Sequence, residues 1–149
     1  MSTRNLISTL ALLVVATAGV AASQKEANAR SLYLRLGGYD AIASIVGDLE
    51  RRFAEDPELK LFIVGTSADT GKRQTQLLVE FLCERTGGPC AYLGRDLRTA
   101  HTGLTITEAH WKATIGHLGA AIDAAKVPEK DKAELLEIFV KLKSDIGVK

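Results

Sequence analysis

Apolar residues recur at helical spacing through most of this chain. From residue 31 onward, no stretch alternates apolar and polar residues for long enough to indicate a β-strand. Residues three or four positions apart share apolar character instead, as expected for helices with one buried face. The apolar stripes are Ile42, Ile45, Val46, Leu49 and Phe53; Leu77, Leu78, Phe81 and Leu82; Trp111, Ile115, Leu118 and Ile122; and Leu135, Ile138, Phe139, Leu142 and Ile146. The pattern predicts an all-α fold.

Glycine, proline and capping residues mark the ends of these predicted helices. The first stripe follows the glycines at 37 and 38 and is interrupted by Asp-Pro at 56 and 57, and the second closes at Gly-Gly-Pro, residues 87–89. Thr107 is a good N-cap for the third helix, and Pro128 falls near the start of the last. Residues 87–106 contain five glycines or prolines and little periodicity. We predict a loop there, with about one helical turn around His101.

The first 29 residues have the features of an export signal. Arg4 precedes an apolar run from Leu6 to Val20, and small residues follow that run. A membrane-spanning helix needs about 20 apolar residues, more than the run supplies. We therefore predict a removed signal peptide at residues 1–29, with cleavage after residue 22, 23 or 29 left open, and a periplasmic or secreted protein. Membrane association would arise only through an uncleaved signal.

Length and charge limit what the remaining chain can be. A chain of 149 residues with 46% hydrophobic side chains suits one compact domain with a real core. The net charge of +1 argues against nucleic-acid binding, because such domains carry a clustered excess of lysine and arginine. We predict a single domain over residues 31–149 that does not bind nucleic acid.

Two cysteines flank a turn-rich segment. Cys83 and Cys90 enclose Glu-Arg-Thr-Gly-Gly-Pro, which could fold back and bring the two Cα atoms to the disulfide spacing of about 5.5 Å. Alternatively, Cys83 is a small buried apolar residue and Cys90 a free thiol in a loop. The sequence leaves both alternatives open.

His101 lies in the long irregular segment, where compact helical domains tend to place functional residues. Neutral imidazole is a good iron ligand, and a haem needs one such ligand projecting from a helical turn into an apolar slot. The alternative is an ordinary surface or core histidine, which a lone histidine is more often. His110 and His117 lie on the flank of the Trp111 helix, away from the centre of its apolar stripe, so we expect structural or surface roles for both.

Several motifs, taken together, resemble the group I truncated haemoglobins. They are Leu-Tyr-Leu-Arg-Leu-Gly-Gly at 32–38, Glu-Phe-Leu at 80–82, Gly-Gly-Pro at 87–89, Tyr-Leu-Gly-Arg at 92–95 and Leu-Arg-Thr-Ala-His at 97–101. The match covers essentially residue 31 to the C-terminus, and the order and spacing are more specific than any one motif. The resemblance implies a truncated globin fold, a two-over-two helical sandwich whose proximal helix is reduced to a turn. It also implies haem as the cofactor and His101 as the iron ligand.

The resemblance extends to other haem contacts. The register of Gly-Gly-Pro places Gln74 and Leu78 at the ligand-facing positions of their helix, with Gln74 as distal hydrogen-bond donor. The alternative for Gln74 is a solvent-exposed residue at the helix start. Phe62 at the following corner and Phe81 on the stripe of Leu78 are expected to line the haem slot. Basic residues near the slot would pair with haem propionates or stay solvated at the surface: Lys72, Arg73, Arg95 and Arg98.

The distal side departs from the family pattern. Group I members usually carry Phe-Tyr in the second helix, whose tyrosine donates a hydrogen bond to bound oxygen, and Phe-Phe at the next corner. Here Leu49 and Glu50 align with the first pair, and Phe62 and Ile63 with the second. Tight oxygen binding is therefore in doubt. Glu50 either lies beside the haem, where a carboxyl group could exchange a proton with a ligand such as peroxide, or turns to water and pairs with a nearby arginine or lysine.

Two classes of function follow. The first is a haem protein that binds oxygen or another diatomic gas at a histidine-ligated iron, with nitric oxide dioxygenase or peroxidase-like activity if an unidentified reductase supplies electrons. The second is a haem-free globin-fold domain with an interaction or sensing role. The Leu-Arg-Thr-Ala-His motif favours the first class, and the missing distal tyrosine favours the second. We predict the haem protein.

Overall fold

The protein is helical throughout the part that the structure, a computed structural model, describes, which is residues 31–149. The predicted signal peptide lies outside these residues. The α-helices are α1 (Leu32–Leu36), α2 (Gly38–Glu55), α3 (Ala68–Arg85), α4 (Leu97–Ala100), α5 (Glu108–Ala124), α6 (Glu129–Lys141) and α7 (Lys143–Ile146), and a 3-10 helix, Leu59–Phe62, joins α2 to α3. No strand occurs between residues 31 and 149, which confirms the all-α prediction.

Local chemistry explains where the helices begin. Gly37 ends α1 and precedes α2 with φ at 103°, a left-handed conformation that glycine adopts at little cost. Ser67 caps α3 by accepting a hydrogen bond from the Thr70 amide. At α5, the Thr107 hydroxyl accepts from the His110 amide, and His110 Nδ1 accepts from the Thr107 amide. The predicted N-cap at Thr107 is thus confirmed as a reciprocal capping box.

The helices form two layers. Helix α2 packs against α3 in one layer and against α5 in the other, and α5 packs against α6. Helix α1 bridges the layers by contacting both α2 and α6, where Arg35 pairs with the buried Asp131 at 2.7 Å and with Glu134. This arrangement is the predicted two-over-two sandwich. None of the helices in residues 31–149 has the length and apolar character needed to cross a membrane.

The core is built from the apolar stripes of the sequence. Burying each such side chain stabilises the fold by about 1.5–3 kcal/mol relative to exposing it. The largest fully buried side chains are Ile42, Ile45, Val46, Leu59, Leu82, Cys83, Leu118, Ile122 and Leu135. The two layers are therefore held mainly by apolar contacts from α2, α3, α5 and α6.

Cys83 and Cys90 form a disulfide. Their Cα atoms lie 5.7 Å apart, and Cys83 is fully buried at the end of α3. Of the two alternatives for these cysteines, the structure therefore has the bonded pair. The bond fixes the end of α3 to the segment that leads to α4 and His101.

Candidate functional site

A cavity of about 390 Å³ lies between the layers, lined by α2 to α7 and by the 3-10 helix. Its volume falls in the range of about 300–1,000 Å³ that is usual for small-molecule and cofactor sites. Most of its lining side chains are apolar. The polar ones, besides the indole of Trp111, are Glu50, Gln74, Tyr92, His101, His110 and Thr114.

His101 ends α4 and lines this cavity. Its Nδ1 atom lies 2.8 Å from the carbonyl oxygen of Leu97. Because a carbonyl can only accept, Nδ1 carries the hydrogen, and the lone pair of the neutral ring lies on Nε2. Nε2 makes no hydrogen bond with any residue between 31 and 149. The ring is thus oriented by one nitrogen and offers the other as a metal ligand.

The single turn of α4 has its own cap. Asp96 accepts hydrogen bonds from the amide and the hydroxyl of Thr99, at 2.9 and 2.6 Å. These bonds hold the pKa of the Asp96 carboxyl below its usual value. A helix this short is marginal by itself, so the cap and the contact of α4 with α7 position His101.

The other wall of the cavity comes from α3 and the corner before it. Leu78 and Phe81 project from α3, and Phe62 from the 3-10 helix, and all three line the cavity. Gln74 lies at the exposed edge of this wall, and its side-chain amide makes no hydrogen bond with the described part of the chain. The structure therefore brings these four predicted residues to the same cavity as His101.

Glu50 faces the cavity rather than the surface charges. It is partly buried, lines the cavity beside the buried Leu49, and accepts a hydrogen bond from the hydroxyl of Thr75 at 2.7 Å. The neighbouring Arg51 and Arg52 pair with Asp48 instead. Pairing of Glu50 with a nearby arginine or lysine, one of the two sequence-based alternatives, is therefore wrong for residues 31–149.

Arg98 does not line the main cavity. Its side chain is 73% exposed and lies 3.9 Å from Asp145, at a second depression that shares Phe81, Tyr92 and Leu97 with the cavity. Since Leu97 faces the cavity, the next residue on the helix is rotated about 100° away from it. The pairing of Arg98 with a haem propionate stays a prediction. Other basic side chains predicted near the slot are also exposed: Lys72, Arg73 and Arg95.

His110 is a cavity residue that the sequence did not predict. It lines the cavity, and its ring packs edge-on against Phe62 with 5.0 Å between centroids. His110 was expected on the flank of α5 because it lies away from the centre of the apolar stripe of that helix. The cavity wall also includes Thr114, so the buried face of α5 is wider than the apolar stripe. The position of His110 three residues after the cap Thr107 accounts for the capping box and gives no signal of the cavity.

His117 lies away from the cavity, as expected for a structural residue. Its Nε2 atom is 2.7 Å from Asp56 Oδ2, so it ties α5 to the end of α2. Tyr92 is a further cavity residue; it belongs to the Tyr-Leu-Gly-Arg motif but was not predicted to line the slot. Its ring packs edge-on against Phe81 at 5.2 Å, and its hydroxyl donates to the Arg95 carbonyl.

Comparison with known proteins identifies this architecture. Residues 31–147 match the family model described as bacterial-like globin. The chain belongs to the bacterial-like globin family. This globin is similar to group 1 truncated hemoglobin GlbN of Mycolicibacterium paratuberculosis, with 32% identity over 123 residues, which is 83% of this chain and 88% of that protein. It is 34% identical over 116 residues to group 1 truncated hemoglobin GlbN of Nostoc sp., covering 78% of this chain and 96% of the relative.

Solved structures agree with the sequence comparison. The truncated hemoglobin from Tetrahymena pyriformis, in an Fe(III) form, superimposes with a TM-score of 0.72 and 26% identity over 78% of this globin and 97% of that chain. The 2/2 hemoglobin from Synechococcus sp. PCC 7002, in the cyanomet state and with covalently attached heme, gives a TM-score of 0.69 and 27% identity over the same shares. The fold expected from the sequence motifs is thus shared with truncated hemoglobins.

Proposed function

We propose that this globin binds a haem in the main cavity and a diatomic gas, oxygen or another, at the haem iron. The observation that carries the proposal is His101 at the cavity wall, with Nδ1 engaged by the Leu97 carbonyl and the lone pair of Nε2 available. A single imidazole in an apolar cavity is the donor set that a haem iron requires. His101 would therefore be the proximal ligand.

The other cavity residues fit the same group. Leu78, Phe62 and Phe81 provide an apolar surface that excludes water from a flat hydrophobic ring. Gln74 brings an amide donor to the edge of the cavity. When bound, haem supplies an iron centre that accepts a gas molecule, while the protein controls polarity and hydrogen bonding around it. No observation on residues 31–149 supports the haem-free alternative.

We further propose that the protein is exported to the periplasm or secreted. The Cys83–Cys90 disulfide supports this location, because disulfides persist in oxidising compartments and are rare in the cytosol. Residues 1–29 and their apolar run supply the signal. Determining the N-terminal residue of the exported protein by mass spectrometry tests the proposal. A cytosolic protein that still begins at Met1 would contradict it.

We also propose that electron-consuming reactions at the haem would depend on a partner. Nitric oxide dioxygenation or a peroxidase-like reaction consumes electrons, so either one requires a reductase or another electron donor. The donor would have to reside in the same compartment as the exported protein. Membrane association would require that the signal stays uncleaved.

Haem titration of the purified protein tests the central proposal. We expect stoichiometric uptake with a sharp Soret band, and we expect His101→Ala to abolish that band or to reduce it to weak, nonspecific haem absorbance. Added imidazole should restore the band in the variant, because it replaces the missing ligand. His117→Ala is the matched control, since His117 binds Asp56 outside the cavity. A native chain that takes up no haem, or a His101→Ala spectrum equal to the native one, would overturn the assignment.

A further inference from the structure

The mostly apolar lining of the cavity includes one carboxyl group. Glu50 comes from α2, is partly buried, and is the only carboxylate among the described residues that line the cavity. The other titratable side chains on the lining are Tyr92, His101 and His110. Burying a carboxylate costs free energy unless hydrogen bonds compensate, so its placement requires an explanation.

Thr75 on α3 can satisfy this carboxyl group in both of its charge states. The hydroxyl oxygen of Thr75 lies 2.7 Å from Glu50 Oε2 and 3.1 Å from the Gly71 carbonyl oxygen. A hydroxyl has one hydrogen to donate, so the two bonds are alternatives. When Glu50 is ionised, Thr75 donates to Oε2. When Oε2 is protonated, it donates to Thr75, whose hydrogen turns to the Gly71 carbonyl.

The second carboxylate oxygen has no such partner. Glu50 Oε1 makes no hydrogen bond with residues 31–149, although the side chain lines the cavity. An arrangement that satisfies both protonation states and leaves one oxygen free suits a group that gains and loses a proton. A residue that only tied α2 to α3 would not need to face the cavity.

We propose that Glu50 accepts a proton from the ligand. The site therefore selects ligands that are neutral weak acids, and hydrogen peroxide is the substrate of this class that we propose. The inference rests on the proposed haem function. In the step, the H–X bond of the neutral ligand breaks and its proton passes to Glu50 Oε1. The ligand stays in the cavity as the anion X⁻, the carboxylate becomes a carboxylic acid, and no electron is transferred.

Glu50 and Gln74 would therefore have different roles. The Gln74 amide donates a hydrogen bond but does not take up a proton, whereas an ionised carboxylate accepts protons and repels anions. A ligand that arrives already ionised gains nothing from Glu50. A neutral ligand that becomes an anion in the cavity is the kind that this wall assists.

Comparing the binding of cyanide and azide to the ferric, haem-loaded protein tests whether Glu50 assists neutral ligands and not ionised ones. Near neutral pH, dissolved cyanide is almost entirely the neutral acid and azide is an anion. We expect Glu50→Gln to slow cyanide association, followed by the Soret shift in stopped flow, by about tenfold or more. Azide association should be unchanged or faster, because the repelling charge is gone.

Matched variants distinguish proton transfer from a structural role. Glu50→Gln keeps the shape of the side chain and an oxygen for Thr75 to donate to. Glu58→Gln makes the same chemical change at an exposed residue that does not line the cavity. Thr75→Val removes the tie between α2 and α3 but keeps the carboxylate. Equal cyanide rates for Glu50→Gln and Glu58→Gln, or equal losses for Thr75→Val and Glu50→Gln, would refute the proposal.

A second measurement needs no variant. Cyanide that enters as the neutral acid must leave its proton in the protein or in the solvent. An indicator dye in weakly buffered solution measures the protons that are released to the solvent. We expect the native protein to release much less than one proton per haem on binding cyanide. Release of a full proton would overturn the proposal even if Glu50→Gln failed to fold. Failure of the native chain to take up haem is recorded separately, by the Soret titration, and counts against the haem proposal itself.

Discussion

At the residue scale, Gly88 is the position of the Gly-Gly-Pro motif where an added side chain would overlap its neighbours. The amide of Gly88 donates to the Cys83 carbonyl at 2.7 Å. A Cβ atom at position 88 would lie 2.5 Å from the Tyr33 ring, 2.7 Å from Cys83 Sγ and 2.8 Å from the Cys83 carbonyl oxygen. The carbonyl belongs to the backbone, and the sulfur is held by its disulfide, so neither can move aside easily.

Gly88→Ala is therefore expected to lower the free energy of unfolding by about 1–3 kcal/mol, the usual cost of overpacking a filled site. Denaturant unfolding followed by circular dichroism measures the change. The control is Gly116→Ala on α5, where an added Cβ meets nothing within 4 Å. That variant should gain about 0.5–1 kcal/mol, because alanine is the better helix former. A neutral Gly88→Ala would show that the segment can move away.

At the scale of elements, Asp56 joins three of them. It ends α2, its Oδ1 accepts hydrogen bonds from the amides of Glu58 and Leu59 at the start of the 3-10 helix, and its Oδ2 binds His117 of α5. The 3-10 helix carries Phe62 to the cavity wall. The hydrogen bonds of Asp56 therefore help to position one wall of the proposed haem site.

The hydrogen bond from His117, followed by those from the two backbone amides, holds the pKa of Asp56 below its ordinary value of 3.8. A depressed pKa means that the stabilisation is fully present above that ordinary value and is lost as the pH falls through the lowered one. We expect Asp56→Asn to lower the Tm at pH values above about 4, and we expect the difference between the two Tm values to shrink as the pH falls below 3.8. Asp40→Asn, at an exposed aspartate on α2, is the control. A constant difference in Tm across this range would argue against the assignment.

At the scale of the whole molecule, one covalent bond joins the helical sandwich to the loop that leads to His101. The disulfide connects the buried end of α3 to residue 90, and the Tyr92 amide donates to Glu84 of α3 two residues later. The irregular segment is thus held against α3 before it reaches α4. Its order comes from these few attachments rather than from regular secondary structure.

Replacing both cysteines by alanine should lower the free energy of unfolding by about 2–3 kcal/mol, because the bond closes a short loop and restricts the unfolded chain. Chemical denaturation of the oxidised native protein and of the Cys83→Ala, Cys90→Ala variant measures the difference. The native protein in reductant should approach the variant. Equal unfolding midpoints for all three would show that the disulfide does not stabilise the fold.

The sequence by itself predicted the four long helices, the cap at Thr107 and the single helical turn before His101. These features are local, since stripes three and four residues apart, a threonine cap and a glycine before a helix act within one or two turns. The two-layer fold and the haem cofactor were expected from ordered motifs, and the family comparison confirms the fold. His101 was identified in the same way and lies at the cavity.

Only the tertiary structure decided which flanking side chains reach the cavity and which cysteine alternative holds. The Glu50–Thr75 bond joins residues 25 apart in sequence, and the Asp56–His117 bond joins residues 61 apart. The position of His110 at the cavity was not predicted, because the buried arc of a helix depends on its neighbours, which a single stripe does not specify. Local pattern therefore determined the elements, and packing between distant helices decided the chemistry of the site.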